Sequence, residues 1–245
     1  MSQINVKDDQ GVRIISFNRP EKRNAFNLKM YQQLTEYLIQ GERDNAIRAF
    51  MLRGEENCFT SGNDIADFLS SGELNETHPT VQFLHCILEL KKPLVAAVSG
   101  AAVGIGTTLL FHCDLVYADN TAKFQLPFVN LALVPEAASS LLLPLIVGQQ
   151  KAAELILLGE SFNASTAKEL NIINQVVEQT ELDSFVLAQA KKLANQPPLA
   201  LQASKQLLRH NQADVKQQML KELAVFGERL KSDEAKNRFQ AFLKK

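Results

Sequence analysis

A glycine-rich turn is the first pattern in the sequence that could do chemistry. Gly100, Gly104 and Gly106 lie between an apolar run at residues 94–98, typical of a strand buried on both faces, and a short predicted helix at residues 105–112. Glycines let another backbone or a ligand come close, and the start of a helix offers unpaired N–H groups with a partial positive charge. Such a turn can hold an anion.

The glycine spacing also fits a second class of protein. It is the G-x-x-x-G-x-G spacing of short-chain dehydrogenases, and Asp119 follows the next strand as a ribose-binding acid would. The turn lies about 100 residues into the chain, however, and not on the first strand. That family also needs a tyrosine followed four residues later by lysine, and the three tyrosines here are followed at that spacing by Thr35, Gly41 and Thr121. A dinucleotide fold is disfavoured, and glycines that only allow close packing of helix and strand remain an open alternative.

One carboxylate, Glu136, lies in a largely apolar stretch at residues 131–142, which also contains Ser139 and Ser140. In one interpretation Pro135 begins a helix and the acid complements the helix dipole in the first turn. In the other, an apolar pocket raises the pKa of Glu136 toward neutrality and makes it a base, with walls from Phe128, Leu131, Leu133 and Leu142. The residues alone favour the capping role.

Alternating strands and helices must position these residues. Apolar and β-branched segments predict strands at residues 12–17, 49–52, 94–98 and 115–118. Helical spacing predicts helices from Asn27, at residues 80–90 and 105–112, and then at 135–145, 150–158, 164–170, 182–195 and from 198 onward. The pattern predicts an α/β core with parallel pairing, followed by a helical part with a boundary near residues 195–200.

Composition and charge exclude several classes of function. The chain has 245 residues, 46% of them hydrophobic, and 26 Lys and Arg against 27 Asp and Glu. A net charge near zero gives no field that would attract nucleic acid or an anionic membrane, and no apolar run reaches the roughly 18 residues of a membrane span. The three cysteines are widely spaced and the four histidines lack ligand spacing. We expect no nucleic-acid or membrane partner, no metal site, and a reducing, cytoplasmic location.

Three motifs carry a resemblance to a known family. They are NRPEKRNAF at residues 18–26, CFTSGNDI at residues 58–65, and the segment 92–106 with CDL at residues 113–115. In order and spacing they resemble the enoyl-CoA hydratase/isomerase (crotonase) superfamily across essentially the whole chain. The resemblance implies an α/β, crotonase-like spiral of ββα units with a C-terminal helical region. It implies a core at residues 1–195, a helical trimerisation region at residues 196–245, and a homotrimer or homohexamer.

The resemblance also implies an acyl-CoA thioester as substrate and an oxyanion hole of two backbone N–H groups. The matching positions are Asn63 and Ile105. Proton removal next to a thioester carbonyl moves negative charge onto its oxygen, and preorganised donors stabilise that charge most in the transition state. Because the donors are main-chain groups, the side chains at both positions are free to vary. The expected CoA- and substrate-binding residues are Lys22, Arg23, Ala25, Ser61, Gly62, Asp64, Ile65, Gly104 and Phe128, although Asp64 also fits a loop-bracing role.

Hydratases of this family hold water with two glutamates, and the matching positions here are Thr108 and Phe128. Neither can act as a carboxylate base, so ordinary hydratase chemistry is doubtful. Residues 132–140 and 61–64 are similar to peroxisomal-type Δ3,Δ2-enoyl-CoA isomerases, in which the glutamate matching Glu136 is the catalytic base. The resemblance therefore implies an isomerase with Glu136 as its single base, and no cofactor beyond the CoA that the substrate carries.

Two alternatives stay open. The first is another reaction on the same fold, such as hydration by unconventional groups, hydrolysis, or isomerisation of ring-type CoA substrates. The second is a non-catalytic CoA-ester-binding subunit that kept the pocket and lost the activity.

Overall fold

A main sheet and a small second sheet form the framework. The structure is a computed structural model that describes residues 2–55, 57–70, 72–209 and 211–243. Its strands are β1 Ile4–Asp9, β2 Val12–Phe17, β3 Ala49–Gly54, β4 Leu94–Val98, β5 Ala101–Val103, β6 Leu115–Asp119, β7 Lys123–Gln125, β8 Phe162–Asn163 and β9 Gln175–Val177. Within the described ranges the main sheet has the order β1-β2-β3-β4-β6-β9, with β1 antiparallel to β2 and the other pairs parallel. The second sheet, β5-β7-β8, branches off after β4.

Helices cover both faces of the main sheet. They are α1 Leu28–Arg43, α2 Ile65–Ser70, α3 Pro79–Glu89, α4 Ile105–Thr108, α5 Ser139–Val147, α6 Gln149–Leu158, α7 Ala164–Glu169, α8 Leu182–Ala194, α9 Pro198–Leu208, α10 Gln212–Leu230 and α11 Asp233–Leu243. Alternate residues of β4 point to opposite faces. Leu94, Ala96 and Val98 join the large core with α1 and α3, whereas Val95 and Ala97 pack in a smaller core with α8. The predicted α/β class and the buried central strand are confirmed.

The start of α1 follows from its sequence. The Asn27 side chain accepts the N–H of Met30 at 2.9 Å, as an N-cap residue does. Met30, Tyr31, Leu34 and Leu38 then repeat at helical spacing and are buried in the large core. This helix places Tyr31 beneath the loop that carries Asn63.

The expected helix start at Pro135 is wrong. The helix α5 begins at Ser139, and Ala137 and Ala138 before it have φ of +60° and +57°. Left-handed residues cannot continue a right-handed helix. Glu136 therefore lies outside the first turn of α5, and its capping interpretation is excluded.

The C-terminal helices contribute unequally to the core. Val215, Met219 and Phe226 of α10 and Phe239 of α11 are buried in the large core. On α9, by contrast, Lys205 is the buried side chain, while Leu199, Leu207 and Leu208 are 78–81% exposed. The division at residue 195 stays a prediction. Across the described ranges, no helix combines the length and the apolar character needed to cross a membrane.

Candidate active site

Two loops lie side by side at the carboxyl ends of β3 and β4. The N–H of Thr60 donates to the Ala101 carbonyl at 2.9 Å, and the N–H of Val103 donates to the Thr60 carbonyl at 3.1 Å. A Cβ atom added at Gly62 would lie 2.9 Å from the Val103 oxygen, and one at Gly106 would lie 2.6 Å from a methyl of Thr60. Both glycines are needed for this close approach, so that part of the sequence interpretation is correct.

The loop before α2 presents the backbone N–H of Asn63. On either side of this residue the chain is clamped to Phe26: the Phe26 N–H donates to Gly62 at 2.8 Å, and the Asp64 N–H donates to Phe26 at 2.8 Å. The N–H of Asn63 itself donates to no acceptor among the described residues. It is a donor held in place without a partner.

A second donor of this kind is the N–H of Ile105, the first residue of α4. Gly104 precedes it with φ +56° and ψ −118°, a conformation that favours glycine, and its N–H is held by the Gln125 carbonyl at 2.9 Å. The N–H of Ile105 has no acceptor within the described ranges, as expected for the first turn of a helix. Thr60 pairs with Ala102. Asn63 follows Thr60 by three residues and Ile105 follows Ala102 by three residues, so the two N–H groups occupy equivalent positions after the pair.

Tyr31 links the Asn63 loop to Glu136. The buried Tyr31 hydroxyl donates to Asn63 Oδ1 at 2.5 Å. Burial and the charge of Glu136 together raise the pKa of Tyr31 well above its usual value, so the Glu136 carboxylate lies near this ring. Tyr31 therefore contacts the Asn63 side chain directly and lies within electrostatic reach of Glu136.

Glu136 has the environment of a base poised near neutral pH. It is 3% exposed, and its Oε1 has no hydrogen-bond partner among the described residues. Burial, followed by the charge of Glu222, raises its pKa from 4.5 to about 8. A buried carboxyl group without a cation or a full set of donors favours its neutral form.

Glu222 is the residue that caps α5 in place of Glu136. Its carboxylate accepts the N–H of Ala138 at 2.6 Å, the N–H of Ser140 at 2.9 Å and the Ser140 hydroxyl. The sequence analysis missed it, because it comes from α10 and not from the segment before α5. A signal was present: Met219, Glu222 and Phe226 follow helical spacing, so this glutamate lies on the buried face of α10.

His112 holds the opposite side of the same turn. It is buried, and its Nε2–H donates to the Ala137 carbonyl at 2.7 Å. Burial lowers its pKa to about 4, although the bond to Ala137 acts in the other direction, so the ring is neutral at physiological pH. The histidine supports the backbone next to Glu136.

The match to a family model decides the identity. Residues 7–245 match the model described as Enoyl-CoA hydratase/isomerase. The chain belongs to the enoyl-CoA hydratase/isomerase family. The predicted family resemblance is therefore confirmed.

Relatives in the enoyl-CoA hydratase/isomerase family carry different names. The chain is 32% identical to enoyl-CoA delta isomerase 3, peroxisomal, of Mus musculus, over 98% of this chain and 78% of that protein. It is 35% identical to 2,3-dehydroadipyl-CoA hydratase of Escherichia coli (strain K12), over 86% of this chain and 84% of that protein. Two further delta isomerases are matched over 55% and 62% of their own length. Identity at this level shows the family but not which reaction is catalysed.

A solved structure supports the crotonase fold. The enoyl-CoA hydratase/isomerase from Pseudoalteromonas atlantica T6c superimposes with a TM-score of 0.96 at 40% identity, covering 99% of this chain and 97% of that chain. The crotonase-like fold class with its C-terminal helical region is confirmed.

The expected CoA-binding residues of this family member lie around the same loop. Lys22 and Arg23 are exposed, and their carbonyls accept the Ser61 hydroxyl at 3.2 Å and the Ser61 N–H at 3.0 Å. Ala25 is buried beside them, and Ile65 begins α2. The backbone of Lys22 and Arg23 is thus tied to Ser61, two residues before Asn63.

Asp64 is held by an arginine. Its carboxylate pairs with Arg19 at 2.8 Å, while the expected bond from its own loop, the Asp67 N–H, is long at 3.4 Å. Partial burial raises the pKa of Asp64, but the hydrogen bond and charge of Arg19 outweigh burial and the net shift is downward. Asp64 is therefore charged and braces the loop at neutral pH.

The two positions that match the hydratase glutamates contain no acid. Thr108 is buried in α4, and its hydroxyl has no partner within the described part of the chain. Phe128 is buried in the large core, and its carbonyl accepts the N–H of Leu133 at 2.8 Å, three residues before Glu136. The backbone of Phe128 thus contacts the segment that leads to Glu136, while its ring is part of the large core.

Cavity volume does not mark the site. An open cavity of about 700 Å³ lies between α1, α3 and α10, and none of the predicted site residues lines it. Charged side chains of both signs line this cavity, including Glu42, Arg43 and Glu89. The buried base and the free N–H groups lie elsewhere, so the chemistry and not the volume locates the candidate site.

Proposed function

We propose that the protein is a Δ3,Δ2-enoyl-CoA isomerase with Glu136 as its proton-transfer base. The observation that carries the proposal is the state of Glu136: a buried carboxyl group with one free oxygen, a pKa raised to about 8, and a link through Tyr31 to Asn63. A base works best when its pKa lies near the operating pH. The absence of acids at Thr108 and Phe128 favours isomerisation over hydration.

The proposed reaction is a balanced 1,3-proton shift. The Glu136 carboxylate takes a proton from C2, and the electron pair of that C–H bond moves into the thioester, leaving a dienolate with negative charge on the carbonyl oxygen. The protonated Glu136 then returns the proton to C4, the carbonyl reforms, and the double bond lies between C2 and C3. One carboxyl group serves both steps, and the reaction needs no oxidant, reductant or further cofactor.

The proposed oxyanion hole consists of the backbone N–H groups of Asn63 and Ile105. Neither has an acceptor among the described residues, and both are held by neighbouring hydrogen bonds, so they need no rearrangement when charge develops. Each donor of this kind contributes about 10²–10³ in rate. The free donors and the buried base are the pair of features that a dienolate requires.

The CoA moiety is proposed to bind at the exposed rim. Lys22 and Arg23 are placed to meet its phosphates, and Ser61, Gly62, Asp64, Ile65, Ala25 and Gly104 form the surrounding backbone. Phe128 provides apolar surface for the acyl chain.

The proposed assembly is a homotrimer or homohexamer, supported by the exposed Leu199, Leu207 and Leu208 of α9. A cytoplasmic location fits the three free cysteines.

The test is to incubate the protein with a 3-enoyl-CoA and follow the ultraviolet absorbance of the conjugated 2-enoyl thioester. We expect turnover that is lost in Glu136→Gln and kept in Glu228→Gln, which removes an exposed carboxylate from α10. Turnover of 2-enoyl-CoA to the 3-hydroxy thioester without isomerisation would favour a hydratase instead. Binding of CoA thioesters without turnover of any of them would favour the non-catalytic subunit.

A further inference from the structure

A second buried carboxylate lies against the segment that carries the base, and the proposed proton transfer does not use it. Glu222 of α10 is 5% exposed and carries no cation on its oxygens among the described residues. It accepts two backbone N–H groups and the Ser140 hydroxyl, whose oxygen in turn accepts Gln218 Nε2 at 2.9 Å. Burial raises the pKa of Glu222 and the three donors act in the other direction, with a net upward shift. Three donors still fit a charged carboxylate better than a neutral acid.

We infer that Glu222 is a positioning residue that fixes the turn after Glu136 and holds a second negative charge against it. This inference rests on the proposed function of Glu136. The turn needs fixing because Ala137 and Ala138 are consecutive left-handed residues without glycine, a conformation that persists only when its surroundings hold it.

Two contacts hold the turn from opposite sides. Glu222 binds the N–H of Ala138, and His112 binds the carbonyl of Ala137. The turn sets where the Glu136 side chain leaves the backbone. A loosened turn would misplace the carboxylate relative to C2 and C4, which lowers kcat more than it affects remote binding.

The charge of Glu222 has its own effect. Among the described residues, Glu222 of α10 and Tyr31 of α1 interact electrostatically with Glu136, and His112, just before β6, binds the neighbouring Ala137 carbonyl. Tyr31 and His112 are neutral at physiological pH, since burial raises the pKa of the first and lowers that of the second to about 4. The charge on Glu222 therefore opposes ionisation of Glu136, in the same direction as burial. The base is kept strong enough to take a proton from carbon.

The deciding experiment measures the pKa of Glu136 directly, in the full chain, by 13C NMR with carboxyl-labelled glutamate. The Glu136 signal is identified by its loss in Glu136→Gln. In Glu222→Gln we expect its pKa to fall by about one unit or more, whereas the exposed control Glu228→Gln on the same helix leaves it within about 0.3 units. Ser140→Ala removes a donor but keeps the charge, so the pKa of Glu136 should stay raised. An unchanged pKa in Glu222→Gln overturns the inference.

A second variant covers a failure of Glu222→Gln to fold. Glu222→Asp keeps the charge but withdraws the carboxylate by one methylene, so a smaller fall in the Glu136 pKa, about half a unit, is expected. In the isomerase assay the same variant should lose about tenfold in kcat with KM within about twofold. If neither the pKa nor kcat changes, Glu222 has no positioning role.

The NMR titration does not depend on turnover. A wild type that fails to isomerise any 3-enoyl-CoA, but whose Glu136 pKa falls in Glu222→Gln, would refute the proposed function and leave the electrostatic coupling intact. A wild type that isomerises, with an unchanged Glu136 pKa in Glu222→Gln, would support the proposed function and refute the electrostatic coupling.

Discussion

Two acidic sites in this molecule, a partly buried one at Asp114 and a buried one at Glu136, differ in how their charge is balanced. Asp114, between α4 and β6, receives Lys205 at 2.7 Å on one oxygen and Arg209 at 3.1 Å on the other, and also accepts the N–H of Leu94. Glu136 has a free oxygen and another carboxylate as its charged neighbour. The first arrangement anchors α9 to the sheet, and the second leaves an acid ready to exchange a proton. The two acids differ both in burial and in the sign of the neighbouring charge, which is positive at Asp114 and negative at Glu136.

The largest expected effect is on turnover and concerns Glu136. We call it the uncompensated site, because its charged neighbour is another carboxylate. Glu136→Gln keeps the shape of the side chain and removes its basicity, so kcat for 3-enoyl-CoA isomerisation should fall by about 10²–10⁴. Because Glu136 does not cap α5 and burial penalises its charged form, the variant should be more stable than the wild type at pH 7, measured by denaturant unfolding. Activity within about threefold of the wild type would contradict the mechanism.

At Asp114, the compensated site whose charge is balanced by Lys205 and Arg209, the effect should be on stability. Lys205 is 6% exposed and also donates to the Lys92 carbonyl at 2.7 Å. Lys205→Met removes a buried charge from its partner and should lower the free energy of unfolding by about 3 kcal/mol, with kcat within about twofold of the wild type. Denaturant midpoints and initial rates on the same preparation separate the two. A large loss of kcat with normal stability would mean that the two sites are not distinct.

The pH dependence should report the uncompensated site. The proposed base is active when ionised, so kcat should rise with pH through a midpoint of about 8 and fall about tenfold per unit well below it. The stability of the folded protein changes with pH in the opposite direction to kcat. The folded pKa is raised from 4.5, so the neutral form is favoured in the folded state and stability is lost as pH rises from about 4.5 through about 8. At pH 9 Glu136→Gln should melt at a higher temperature than the wild type. A midpoint near 4.5 for kcat would count against Glu136.

A smaller effect is expected at Tyr31, which binds the Asn63 side chain and interacts with Glu136. Tyr31→Phe removes the hydrogen bond to Asn63 Oδ1 while keeping the aromatic packing with Phe26 and Phe83. The Asn63 loop then loses one support, and kcat should fall by about tenfold with KM nearly unchanged. Steady-state kinetics at several pH values test this, and an effect on KM alone would place Tyr31 in substrate binding instead.

The smallest effect should come from the exposed rim. Lys22→Glu with Arg23→Glu should raise KM several-fold and leave kcat within about twofold, because remote contacts are similar in the ground and transition states. The increase should shrink at high salt, since exposed charges are screened. An unchanged KM at low salt would remove both residues from the CoA site.

The parts of the site that local motifs carry can be predicted from the sequence. The family motifs give Asn63, in the loop before α2, and Ile105, at the start of α4, as the oxyanion positions, and Glu136 as the base; these roles stay predictions. The turn at Ala137 and Ala138 was missed because alanine gives no sign of a left-handed backbone, so a helix start was placed at Pro135. Glu222 was missed because its contact to Ala138 spans 84 residues, and no local pattern reports a pairing at that separation.

Glu222 of α10, whose carboxylate caps the start of α5, also bears on whether the C-terminal part of the chain can be exchanged as a separate unit. A cut near residue 195 would look natural from the alternation of strands and helices, and the segment after it would look exchangeable between relatives. In this protein the segment supplies the N-terminal cap of a helix in the other part. A chimaera with a foreign C-terminal segment would keep Glu136, the proposed base, and both proposed oxyanion donors. The pKa of Glu136 would nevertheless change unless the foreign segment carries an acid at the position of Glu222.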